Sequence, residues 1–225
     1  MVARQLDAVR KAVAAVAQRA GRSASEVTLV AVSKGSTLAA IREAYASGHR
    51  DFGENRAEEL HSKAAQLPAD IRWHFIGSLQ TRQVRVARPH TYLLHSLDRD
   101  RLISKWSADP PPPPALVQVN IAAEPQKHGV VPGETGSLLE RARAAGIRCV
   151  GLMTMPPLVG DPEDNRRWFK ALADLRAELR PDFPGLTHLS MGMTDDYEVA
   201  IEEGATMIRV GRAIFGEPGS PARTD

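Results

Sequence analysis

A single (β/α)8 barrel of the TIM type with an extra N-terminal helix is the fold this sequence predicts, on three observations. Eight short apolar segments alternate with helical ones; several are apolar on both faces, as strands buried between helices are; and 225 residues leave no sequence for a second domain once eight such units are counted. An open doubly wound sheet is the rival, because periodicity does not say whether the last strand closes on the first. Strand count favours closure. The domain is expected to span residues 1–217, with 218–225 a disordered tail of turn formers without apolar anchors.

Leu6, Val9, Val13, Val16, Ala17 and Ala20 share one helical face ahead of Gly21, which predicts the leading helix. Val27 to Val32 is β-branched and apolar, a buried first strand. Leu38, Ile41 and Tyr45 continue as a helix closed by Gly48; Asp51 to Gly53 is a short strand and Asn55 to Gln66 the next helix. Further strands are expected at Arg72 to Ile76, Thr91 to His95, Ala115 to Ile121, Ile147 to Leu152, Leu186 to Ser190 and Thr206 to Val210. Helices are expected between them at Thr81 to Arg88, Arg99 to Trp106, Glu134 to Ala145, Asn165 to Leu179 and Asp195 to Glu203. In the Asn165 helix the apolar stripe is read as Trp168, Leu172, Leu175 and Leu179. Pro110 to Pro114 reads as a stiff extended loop, with a docking site for a proline-binding module as the minority reading.

Composition excludes several classes. The 29 Lys+Arg against 27 Asp+Glu nominate neither nucleic acid nor an anionic membrane as partner. The longest apolar run, Ala12 to Ala17, is far short of the roughly 20 residues of a membrane-spanning helix. No signal peptide is recognisable and Cys149 is the sole cysteine, so a cytoplasmic location is expected.

In such a barrel, chemistry sits where strands end at their C-terminal side. Lys34 follows the first strand, where partial desolvation is expected to lower the pKa of its ammonium toward a usable amine; a lysine snorkelling into water is the bland alternative. Ser190-Met191-Gly192 after the seventh strand and Arg209-Val210-Gly211-Arg212 after the eighth form a paired phosphate cup, with Ser190 as a hydroxyl donor; simple tight turns are the alternative for either glycine alone. Arg209 alternates with Met207 and points inward, where it needs a cofactor atom or a carboxylate such as Asp51. Asn55 either orients a ligand from the second strand end or caps the following helix. His74 and Cys149 read as core residues, and no spacing supports a metal site or a Ser-His-Asp relay. Lys127 reads as a solvated loop lysine that could line the same mouth. A strand-end lysine, a two-loop phosphate cup and an inward arginine together describe a site for pyridoxal 5′-phosphate in a barrel.

Ala31-Val32-Ser33-Lys34, Phe52-Gly53-Glu54-Asn55, Trp73 to Gln80, Gly151 to Met155 and the block Leu189 to Phe215 closely resemble the pyridoxal phosphate homeostasis proteins. That family looks like the barrel domain of alanine racemase standing alone. The resemblance implies that Lys34 holds the cofactor as an internal aldimine. It places Ser190, Gly192 and the Gly211-Arg212 amides near the phosphate, and Arg209 at the pyridine nitrogen or the phosphate. Departures are Gly35-Ser36, where the family commonly has threonine, a second lysine and proline; Arg56 for a tyrosine; and Thr81-Arg82 for serine-asparagine. They bear on uptake and release.

The resemblance implies a carrier that buffers pyridoxal phosphate and passes it transiently to apo-enzymes without a turnover of its own; a monomer or weak dimer is expected. An amino-acid racemase is the runner-up, and it needs a second acid/base opposite Lys34, for which Tyr45, Tyr92 and Tyr197 are the tyrosine candidates. A sugar-phosphate isomerase using the cup without the aldehyde ranks last, with Glu54 its main carboxylate.

Overall fold

The computed structural model describes residues 1–108 and 111–216. Eight parallel strands close in chain order: β1 (Thr28–Val32), β2 (Asp51–Glu54), β3 (Arg72–Phe75), β4 (Leu93–Leu97), β5 (Ala115–Gln118), β6 (Cys149–Met153), β7 (His188–Ser190) and β8 (Met207–Val210). β8 returns to β1 with Thr28 opposite Met207 and Ala31 opposite Val210, which decides against the open sheet and leaves no free edge. The connecting helices are α2 (Leu38–Ala46), α3 (Ala57–Ala64), α4 (Val84–Ala87), α5 (Asp100–Trp106), α6 (Thr135–Ala144), α7 (Arg166–Leu179) and α8 (Tyr197–Glu202), followed by the short α9 (Arg212–Phe215).

The leading helix α1 (Val2–Arg19) buries Leu6, Val9, Val13, Val16 and Ala17, the stripe its periodicity predicts. It straddles the closing seam. The N-terminal ammonium reaches Glu43 of α2 at 2.6 Å on one side, and Arg19 pairs with Glu198 of α8 on the other. Most of the core lies between the barrel wall and the helices, where Ile208 and Val210 point outward. Met207, with the opposite alternation, joins Leu93, Leu116 and Met153 in a small separate cluster inside the barrel. A barrel interior is ordinarily filled by branched apolar side chains, and here only part of it is.

Four expectations are corrected. β4 starts at Leu93, because Thr91 is still tied to the preceding turn, its Oγ1 donating to the Ala87 carbonyl at 2.8 Å. The segment Thr81 to Arg88 forms one α turn between two tighter turns. In α7 the fully buried residues are Phe169 and Leu172, while Trp168, Leu175 and Leu179 are half-buried, so the stripe is rotated toward Phe169. α8 begins at Tyr197 because the Asp196 carboxylate accepts from Met193 N–H (2.7 Å) and from Asn165 (2.9 Å), which keeps Asp196 out of the helix. The proline run is described from Pro111 onward, where the Trp106 indole donates to the Pro113 carbonyl at 2.9 Å. The predicted tail 218–225 lies outside the described residues. Among the described residues no helix is long and apolar enough to cross a membrane, and no group of three His, Cys, Asp or Glu is placed to hold a metal. Burial pushes the Cys149 thiol up to about 12, consistent with a packing role.

Candidate functional site at the C-terminal mouth

The seven candidate residues lie at or just beyond the C-terminal ends of β7, β8, β1 and β2, four strands that are consecutive around the barrel. Parallel strands present these ends on one mouth. Lys34 sits in the turn after β1, is exposed, and makes no hydrogen bond or ion pair among the described residues. The expected desolvation of Lys34 is therefore corrected. Its amine is free in the mouth.

The turn that carries Lys34 is held from below by a cluster the sequence reading missed. Lys63 of α3, buried, donates to the Ser33 carbonyl (2.6 Å), to Glu54 Oε1 (2.7 Å) and to Glu59 Oε1 (2.6 Å), so all three ammonium protons have acceptors. Ser33 Oγ adds a bond to Glu54 Oε1 at 2.6 Å, and the Gly35 N–H donates to Glu59 at 2.6 Å. Burial raises the Glu54 carboxyl above its usual range, with Lys63 opposing. Its Oε2 is buried without a partner. The one sequence signal for this cluster is Glu59-Lys63 at i, i+4 on α3.

Asn55 follows β2. Arg56 occupies the N-cap position of α3, so the capping role is corrected; Asn55 Oδ1 is buried and has no hydrogen-bond partner. A buried orphan amide oxygen at the end of the strand next to the one that carries Lys34 fits a site built for a ligand with donors of its own.

Gly192 adopts φ +90°, and a Cβ there would lie 2.6 Å from Ala200 Cβ. The turn brings α8 against the loop. Gly192→Ala is expected to lower stability by about 2–3 kcal/mol, from backbone strain plus steric overlap, read as a shift in the urea midpoint. An unchanged midpoint would remove the close-approach argument. The backbone N–H groups of Gly192 and Gly211 make no hydrogen bond among the described residues, which leaves two donors for an anion. Arg212 is exposed at the rim and pairs with Asp195.

Arg209 is 4% exposed, inside the barrel. Its acceptors are not carboxylates: Nη1 donates to Ser190 Oγ (2.6 Å) and Nη2 to the Thr154 carbonyl (2.9 Å). Burial pulls its pKa down to about 10, with Asp196 opposing, so it is charged at neutral pH. The proposed alternative partner, Asp51, is engaged elsewhere, with Arg72 and His74. His74 is a satisfied core histidine, and the fold brings it a second histidine that no sequence spacing pointed to: His95 Nε2 lies 2.9 Å from its Nδ1, and His95 Nδ1 lies 2.9 Å from Ser190 Oγ. Lys127 is half-buried in the loop after β5, ion-paired with Glu124 at 2.5 Å rather than solvated.

These features define a closed α/β barrel whose mouth combines a free amine, a buried guanidinium and unpaired backbone donors for an anion. The family model described as the alanine racemase N-terminal domain matches residues 5–218. A pyridoxal phosphate homeostasis protein from Aquifex aeolicus (strain VF5) is 40% identical over 223 residues, covering 96% of each chain. PipY of Synechococcus elongatus PCC7942, solved without PLP, matches with a TM-score of 0.85 at 35% identity, over 96% of this chain and 100% of that one. The same protein solved with PLP bound matches with a TM-score of 0.81 at 34% identity, over the same shares. The chain belongs to the pyridoxal phosphate homeostasis protein family, within the alanine racemase N-terminal domain family.

Proposed function

We propose that this chain binds pyridoxal 5′-phosphate at the C-terminal mouth, anchored covalently on Lys34. We read it as a cytoplasmic carrier that holds the cofactor for apo-enzymes without a turnover of its own. The observation that carries this reading is Lys34, an exposed and unpaired amine at the end of β1, set in a mouth with donors for a phosphate. When bound, the cofactor offers an aldehyde that condenses with a primary amine, releasing one water. Lys34 supplies that amine, and the Ser33, Glu54, Glu59 and Lys63 cluster fixes the turn it stands on. The Gly192 and Gly211 N–H groups donate to an anion, and Arg212 adds positive charge at the rim. Arg209, fixed by Ser190 and Thr154, presents a charge that stays in place, and Asn55 offers an acceptor to the ligand.

The carrier reading is supported by the placement of two of the chain's three tyrosines, the residues considered for the second acid/base a racemase would need. Tyr45 bonds Asp70 on the outer surface and Tyr92 precedes β4 at the opposite end of the barrel, while Tyr197 opens α8 against Gly192 of the mouth. One protomer carries all seven mouth residues, which supports a monomer or weak dimer as the working form.

The test is a visible spectrum of the purified chain with added pyridoxal phosphate, then borohydride reduction and peptide mapping. A yellow band whose reduced adduct maps to Lys34 is the expected result; no band and no adduct would overturn the reading. Arg209→Gln is expected to weaken retention roughly tenfold, measured by equilibrium dialysis, with the Lys34 adduct still forming.

A further inference from the structure

A continuous chain of hydrogen bonds runs through the polar part of the barrel interior. It starts at Asp51, the first residue of β2, which lines a cavity of about 330 Å³ together with Arg10, His49 and Arg72. Arg72 Nε donates to Asp51 Oδ1 at 2.7 Å; His74 Nε2 lies 3.1 Å from the same oxygen. From His74 Nδ1 the chain passes to His95 Nε2 (2.9 Å), from His95 Nδ1 to Ser190 Oγ (2.9 Å), and ends where Arg209 Nη1 meets Ser190 Oγ (2.6 Å). Asp51 stands at the N-terminal end of its strand and Ser190 at the C-terminal end of its own, so the chain links the far end of the barrel to the mouth.

Both ends of this chain have fixed roles. A guanidinium only donates, and an ionised carboxylate only accepts. Ser190 Oγ therefore accepts from Arg209, and the arrangement that also gives the Ser190 proton a partner points that proton at His95 Nδ1. His95 then carries its proton on Nε2 and gives it to His74 Nδ1. His74 in turn carries its proton on Nε2 and gives it to Asp51. One arrangement of protons satisfies every member, with both imidazoles neutral. Burial holds His95 well below the usual histidine range, helped by His74, Arg209 and His188. Burial works against the Asp51 carboxylate, but the bonds from Arg72 and His74 more than offset it and keep Asp51 ionised. Tyr92 packs its ring edge-on to His74 and is the remaining titratable neighbour.

We propose that Asp51, His74 and His95 are positioning residues for the mouth, a one-way hydrogen-bond chain that takes up the Ser190 hydroxyl proton and leaves Ser190 as the acceptor that holds Arg209. The proposal rests on the pyridoxal phosphate reading for what the mouth holds. It changes the part assigned to Ser190, whose hydroxyl is committed inward and is not a phosphate donor. An apolar filling of the same space would be simpler to satisfy, since a partly satisfied polar network is worse than none. Departures from apolar packing of this kind concentrate where function needs a side chain fixed.

Nitrogen-15 NMR of the histidines in the unliganded full chain tests the chain itself, with the seven histidines assigned by single substitutions. At neutral pH, His74 and His95 are expected to be neutral with the proton on Nε2. A proton on Nδ1, or an imidazolium, at either residue would overturn the proposal. For the link to the mouth, His95→Leu is expected to weaken retention of pyridoxal phosphate roughly tenfold. His95→Gln, which can still accept from Ser190 and donate to His74, is expected to restore most of it. Should His95→Leu fail to fold, Ser190→Ala breaks the same link, with the same loss expected and the His74 tautomer retained. Unchanged retention in both broken variants would overturn the positioning role. A wild-type chain with the expected tautomers that binds no pyridoxal phosphate would instead overturn the reading of the mouth.

Discussion

Lys34→Ala is expected to abolish the borohydride-trapped adduct with pyridoxal phosphate completely, while leaving the unfolding midpoint of the unliganded chain where it was. The first half follows from chemistry, because the adduct requires a primary amine at this place and alanine has none. The second half follows from the structure: Lys34 is exposed and makes no hydrogen bond or ion pair among the described residues, so its truncation falls in the class of surface changes worth within about 0.5 kcal/mol. Non-covalent retention through Arg209 and the Gly192 and Gly211 donors is expected to persist in the variant, weaker and without the yellow band. Mass mapping after reduction reads the adduct, and dialysis reads the residual affinity. An adduct that survives in Lys34→Ala would move the anchor to another amine of the chain. Lys63 is the one to examine first, because its ammonium lies directly under the same turn.

The second large effect is acid destabilisation well before the carboxylates titrate in bulk. His49 is buried, with Nε2 2.8 Å from the Asp51 carbonyl and Nδ1 3.2 Å from Arg10 Nη2, and burial lowers its pKa from 6.5 to about 4. As pH falls below about 6.5 the unfolded chain takes up a proton that folded His49 refuses. Stability present at neutral pH is then lost down to about pH 4, by about 3 kcal/mol from this residue alone. His95 is shifted in the same direction by its burial and adds to the slope. Asp51 acts at lower pH. Its folded pKa lies below the unfolded 3.8, so the stability it contributes is present above that value and is lost as pH drops further. Urea unfolding at pH 7, 6 and 5 should show a steady fall in midpoint, with a shallower slope in His49→Gln. A midpoint that stays level across that range would mean that neither histidine is buried neutral.

Much of the mouth was legible because its signals are local. Lys34 stands directly after an apolar run, and Gly192 and Gly211 each follow one, so strand ends could be placed by reading a few residues at a time. The interior chain had no such signal. Its partners are separated in sequence by 23 positions for Asp51 and His74, 21 for His74 and His95, and 95 for His95 and Ser190. His74 sat in an apolar strand and read as packing, and His95 entered only as the end of a predicted strand. The same distance problem hid Lys63, whose ammonium meets Ser33 thirty residues away in sequence. Phe169 was missed for a different reason: with Trp168 adjacent, periodicity alone admits either aromatic as the inward one, and the packing of α7 decided.

By itself the sequence determined the alternation of eight strands with helices, the residues that end those strands, and hence the position of an amine and two glycine loops along the chain. These are properties of short windows, where hydrophobic period and turn chemistry act within a few residues. Only the tertiary structure decided that β8 pairs with β1, that Lys34 is free rather than desolvated, and that Arg209 is held by Ser190 through a line of imidazoles running to Asp51. The physical reason is closure. Inward side chains from strands far apart in sequence meet across the barrel axis, and which polar atoms satisfy one another is settled when the last strand bonds to the first.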